Sequence, residues 1–212
     1  MQTISQQIMQ LFPQNIKIIS QKAFSSSQEI FFVFGFGVEL ILEEAFKGTN
    51  NRLRKAIFPN VQKIGDFAFR DNFQLEAVIA PLCSILGEGA FCNCFQLKQI
   101  DLKPVVLSRY VFSGIAVKYL CLPSVLKIES QALSSSIIRS LIIQNCEIIA
   151  EDTFNEICQP VQVYCPKCLH IDQVANCTEI AKSICDEIKN HQIQQISKIL
   201  EQFQCVGKLQ KK

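Results

Sequence analysis

Short stretches of the chain alternate apolar and polar positions, as in Leu75-Glu-Ala-Val78-Ile-Ala80, Leu97-Lys-Gln-Ile100-Asp-Leu102, Val117-Lys-Tyr-Leu120-Cys-Leu122 and Ile138-Arg-Ser-Leu141-Ile-Ile143. A period of two predicts strands that send Val78, Ile100, Leu120 and Leu141 into a core and the intervening side chains outward. A second phrase recurs between these strands: Ile19-Ser-Gln-Lys-Ala23-Phe24, Ile41-Leu-Glu-Glu-Ala45-Phe46, Ile64-Gly-Asp-Phe-Ala68-Phe69 and Leu86-Gly-Glu-Gly-Ala90-Phe91. Looser copies end at Phe112, Leu133 and Phe154.

The phrase ends at positions 24, 46, 69, 91, 112, 133 and 154, so seven units follow one another at intervals of 21 to 23 residues. That length holds one strand, a turn and a short irregular or 3₁₀ return, but not a crossover helix. The prediction is a repeat solenoid of the leucine-rich class, formally α/β, with one short parallel strand per coil. A column of rings from Phe24 to Phe154 should fill its interior, with each alanine letting the backbone approach. Gly65, Gly87 and Gly89 suit a tight bend before the pair, and Pro59, Pro81 and Pro123 should stop the strands.

A solenoid must cover the bare ends of its stack. Ile4, Ile8 and Leu11 fall on one helical face ahead of Pro13, which predicts a helical cap over residues 1–18. The solenoid proper is expected over residues 19–171. Beyond it, Ile180, Ile184 and Ile188, then Ile193, Ile196, Leu200 and Phe203, predict an amphipathic helical cap or tail over 172–212, with Thr178 as N-cap.

The combination Ile-Gly-x-x-Ala-Phe, then Asn72 or Cys94 three residues on, then Leu-x-x-Ile-x-Leu with a nearby proline, resembles the BspA-type leucine-rich repeat. The resemblance covers Ile19 to Pro166. It implies a curved solenoid and the adhesion and host-protein binding roles of bacterial and protist surface proteins.

Charge narrows the partner. Lys and Arg total 21 against 19 Asp and Glu, a net charge of +2. A dedicated nucleic-acid binder would carry a strong basic excess, so no nucleic-acid partner is expected. Met1 to Phe12 has neither a basic nor a sustained apolar leader segment. Ile30 to Leu42, the longest apolar stretch, falls short of the roughly 20 residues of a membrane span. The expected location is cytoplasmic, with the cell surface as the alternative that the resemblance implies. Eleven cysteines, an odd number in a chain with ample apolar residues, read as free thiols rather than a disulfide framework.

Candidate chemistry is sparse. Cys165-Pro-Lys-Cys168 with His170, Cys158 and Cys177 has the spacing of half a zinc site, but no second pair completes it, and neither a metal nor another cofactor is expected. Cys92 and Cys94 read as turn residues of the repeat. No phosphate loop or nucleophile elbow is present, and no catalytic residue is assigned. A zinc- or thiol-dependent enzyme at Cys158 to Cys177 is the remote alternative.

The outward strand positions carry the functional expectation. They run in pairs from Phe32 and Phe34, through Lys55 and Ile57, Ala77 and Ile79, Gln99 and Asp101, Tyr119 and Cys121, and Ser140 and Ile142, to Gln162 and Tyr164. Such a row is unusually apolar for a wet sheet face, which marks an interaction site. Ile57, Ile79, Gln99, Asp101, Tyr119, Ile142 and Tyr164 are the expected partner-binding residues, for a protein or peptide held by a monomeric, non-catalytic scaffold. A slip of one residue would exchange the two faces and place these side chains in the core.

Overall fold

In the computed structural model, which describes residues 8–27, 30–49, 52–179 and 194, the chain winds as a parallel β-solenoid. The strands are β1 (Ile8–Leu11), β2 (Ile18–Ile19), β3 (Ile30–Phe34), β4 (Leu40–Ile41), β5 (Lys55–Ile57), β6 (Lys63–Ile64), β7 (Ala77–Ile79), β8 (Ile85–Leu86), β9 (Gln99–Asp101) and β10 (Val106–Leu107). They continue as β11 (Tyr119–Cys121), β12 (Lys127–Ile128), β13 (Ser140–Ile142), β14 (Ile148–Ile149), β15 (Val161–Tyr164) and β16 (Cys177–Glu179). The odd-numbered strands stack as β1-β3-β5-β7-β9 and, with β16 added, as β11-β13-β15-β16; the two-residue strands stack as β2-β4-β6-β8 and β10-β12-β14. The sheets interrupt where the coil shortens. Gln99 lies 22 residues beyond Ala77, but Tyr119 only 20 beyond Gln99, and Pro104, which has no N–H to offer a ladder, falls in that coil.

Register follows the alternation. Val33, Ala56, Val78 and Ile100 are paired along one sheet, as are Leu120, Leu141 and Val163 along the other, and all seven are buried in the main core. Opposite them the aromatic column forms. Phe24, Phe46, Phe69, Phe91 and Phe112 stack with centroids 5.2, 5.0, 5.4 and 5.7 Å apart and planes within 16°. The same rungs are joined through the backbone. Phe46 N–H donates to the Ala68 carbonyl and Phe69 N–H to the Ala90 carbonyl, each at 2.8 Å.

Left-handed residues bend the chain around that column, two in each of the first six coils and one in the seventh. One precedes the alanine, at Lys22, Glu44, Phe67, Gly89, Tyr110 and Gln131; the other lies two residues after the ring, at Ser26, Gly48, Asp71, Asn93, Gly114, Ser135 and Glu156. Gly65 and Gly87 serve differently. A Cβ at Gly87 would lie 2.4 Å from the Asp66 nitrogen and 2.5 Å from the Gly65 carbonyl carbon, so its absence lets adjacent coils touch.

Both ends differ from the helical caps expected. At the amino end, Leu11 and Gln10 pair with Phe34 and Val33 of β3, so a strand replaces the helix drawn through Ile8 and Leu11; Ile4 lies outside the described residues. A strand there satisfies the open edge of β3, which a helix would leave with unpaired N–H and C=O groups. After Pro166 the chain makes one 3₁₀ turn, Ile171–Gln173, then adds β16 to β15. Thr178, expected as a helix N-cap, is a strand residue paired with Gln162. The apolar series from Ile180 to Phe203 lies outside the described residues; Gln194 within that span is helical and exposed.

Candidate interaction face

The strand face opposite the core is the one surface where expected functional residues converge. Every outward pair named from the sequence faces away from the core column, so the one-residue slip does not occur. The seven expected contact residues divide into two rows. Ile57, Ile79 and Asp101 are aligned on β5, β7 and β9, and across the break Cys121, Ile142 and Tyr164 are aligned on β11, β13 and β15. Gln99 and Tyr119 occupy the other row, with Tyr119 beside Ser140 rather than Ile142.

The rows differ in burial. Tyr119 is 42% exposed, whereas Ile57, Ile79 and Ile142 retain 2%, 1% and 0%. Phe34, Ile57, Ala77 and Ile79 make an apolar cluster separate from the main core, with Leu11 and Phe36 beside it, and Ile142 makes a second with Cys121 and Tyr164. Alternation alone cannot give this result, because it sets where a side chain points and not what lies across from it. Asp101 is half-buried at the centre, and desolvation pushes its carboxyl above the ordinary carboxylate range against the opposing pull of Lys103. Its charge is therefore costly there unless a partner meets it.

The candidate residues of the cysteine-rich end divide between buried and exposed positions. Cys165 donates its thiol to the Cys146 carbonyl at 3.1 Å; the Cys146 thiol, and burial after it, push the Cys165 thiol up, while Cys165 in turn draws the Cys146 thiol down. Burial likewise raises Cys168 and Cys177. A raised thiol is a poor nucleophile at neutral pH. Cys158 and His170 are both exposed. No group of three or more His, Cys, Asp or Glu residues among the described residues is arranged to hold a metal ion. Cys92 and Cys94 follow the ring as turn residues, and Cys94, fully buried, donates its thiol to the Phe69 carbonyl at 3.2 Å. Asn72 in the preceding coil does the same work more fully, donating to the Phe46 and Phe69 carbonyls at 2.7 and 2.8 Å.

Comparison with known proteins agrees with the repeat. The family described as BspA type leucine rich repeat region matches in six copies over residues 5–113 and 84–204. No curated protein matches the chain. Among solved structures, a leucine rich cell surface protein from Faecalibacterium prausnitzii is 15% identical, with a TM-score of 0.32; the alignment covers 82% of this chain and 72% of that one.

Proposed function

Because the chain belongs to the BspA-type leucine-rich-repeat family, we propose that it is a non-catalytic scaffold that takes a protein or peptide partner on its parallel strand face. The observation that carries the reading is Tyr119, 42% exposed on a face built from parallel strands, with the half-buried carboxylate of Asp101 in the row beside it. At about 4.8 Å per strand interval, β3 to β9 present roughly 14 Å of face and β11 to β15 roughly 10 Å beyond the break, a surface suited to an extended peptide or one face of a helix. At the cysteine-rich end, burial raises the Cys168 and Cys177 thiols, which weakens both as nucleophiles at neutral pH.

Family membership also favours a surface or extracellular setting over the cytoplasmic one expected from Met1 to Phe12. No helix among the described residues is long and apolar enough to cross a membrane. Affinity capture from native extract with the immobilised full chain tests the binding role. A protein retained by the wild type and lost with Tyr119→Asp supports it, and equal retention by both overturns it.

A further inference from the structure

Burial along the outward strand positions is uneven, and the strand face opens where the stack breaks. On β7, Ala77 and Ile79 are buried, and on β13 so are Ser140 and Ile142. Between them Gln99, Asp101 and Cys121 are half-buried and Tyr119 is 42% exposed. No strand ladder joins β9 to β11, so these four side chains line a discontinuity in the sheet. Asp101 is the one formal charge among them. Lys103 acts on its carboxylate through space, and no hydrogen bond or ion pair joins that carboxylate to any described residue. Other carboxylates of the stack are paired across coils: Glu39 with Lys17, Glu44 with Lys22 and Glu76 with Arg54. A carboxylate half out of water and without a partner gains more than they would from a cation brought to it.

We propose that Asp101 and Tyr119 together receive an arginine side chain, so that the partner is a peptide segment presenting arginine. A guanidinium suits both groups. Its planar fork bonds a carboxylate through two N–H donors, and its flat face lies against an aromatic ring. The chain makes the same combination within itself. Arg70 lies over the Phe67 ring, 5.4 Å from its centroid, with Nε 3.4 Å from a carboxylate oxygen of Asp71. Arg109 lies over Tyr110 at 4.8 Å. Gln99, outward on β9 with Asp101, adds an amide oxygen that can accept from a remaining N–H. A lysine ammonium would bring the charge without the plane, and an acidic segment would meet a like charge.

The inference rests on the strand face being the recognition surface, and it adds what that surface selects. In the test, the ¹⁵N-labelled full chain is titrated with acetyl-Ala-Arg-Ala-amide, and separately with the same tripeptide carrying lysine or citrulline, the neutral isostere of arginine. Amide shifts are followed by NMR. The arginine peptide should saturate shifts at Asp101 and Tyr119 with a Kd at least about tenfold below that of the citrulline peptide. The lysine peptide should fall between them, and Asp101→Asn should abolish the advantage of arginine over citrulline. Shifts only at other residues, equal Kd values for arginine and citrulline, or an advantage that survives Asp101→Asn would overturn the proposal. Lysine bound as tightly as arginine would overturn it too. The citrulline comparison uses the wild type alone, so it decides even where Asp101→Asn does not fold. If these results go against arginine while Tyr119→Asp still releases a captured partner, the binding role stands without this selectivity.

Discussion

A phenyl ring at the Ala-Phe position is held by two rings, one in each neighbouring coil, and by a backbone rung on either side. Phe69→Ala should therefore lose about 3 to 5 kcal/mol through lost burial and an unfilled cavity, read from denaturant midpoints. Loss below about 1 kcal/mol would mean that the column is not the core. Cys83 makes a second prediction, with a sign. Burial pushes its thiol from an ordinary value of 9.0 up to about 12. Below pH 9 both folded and unfolded thiols keep their proton, so this contribution is fully present. Between pH 9 and about 12 the unfolded thiol ionises first, and stability should fall by about 1.4 kcal/mol per pH unit for each such thiol. Cys83→Ala should make that decline shallower, whatever its effect at pH 7. The rings were legible as a repeated word in the sequence. The left-handed residues at Lys22, Glu44 and Tyr110 were not, because only Gly89 among the residues preceding the alanine advertises a positive φ.

At the level of elements, the two glycine roles can be separated by substitution. Gly48 has φ +55° with nothing near its missing Cβ, so Gly48→Ala costs only backbone strain, about 1 kcal/mol. Gly87→Ala would press a methyl against the backbone of the preceding coil. It should cost more, up to about 3 kcal/mol, because neighbouring coils must part. Thermal midpoints of the two variants decide this, and equal shifts would mean that coil spacing does not depend on Gly87. Strand register could be read from Val78, Ile100, Leu120 and Leu141 because a period of two is a local signal. β1 could not. Ile4, Ile8 and Leu11 have helical spacing, and the pairing of Leu11 with Phe34 that makes Ile8 to Leu11 a strand depends on a neighbour 23 residues away. The break between β9 and β11 was similarly hidden within coil lengths that differ by only two residues.

For the molecule as a whole, the stack gathers short strands into a face on either side of the break between β9 and β11, and recognition is placed there. The direction of Ile57, Ile79 and Ile142 was legible in the sequence, but their burial was not, since that depends on what lies across the face. Replacing these three would test packing as much as binding, so exposed Tyr119 is the cleaner probe. The most direct test compares two faces in one assay. Dissociation constants for the captured partner are measured with wild type, Tyr119→Asp, and Ile85→Asp on β8, where Ile85 is 54% exposed and lies outside the strand face. The account predicts at least a tenfold loss of affinity, about 1.4 kcal/mol, for Tyr119→Asp and wild-type affinity for Ile85→Asp. Wild-type affinity for Tyr119→Asp together with loss at Ile85→Asp would contradict it.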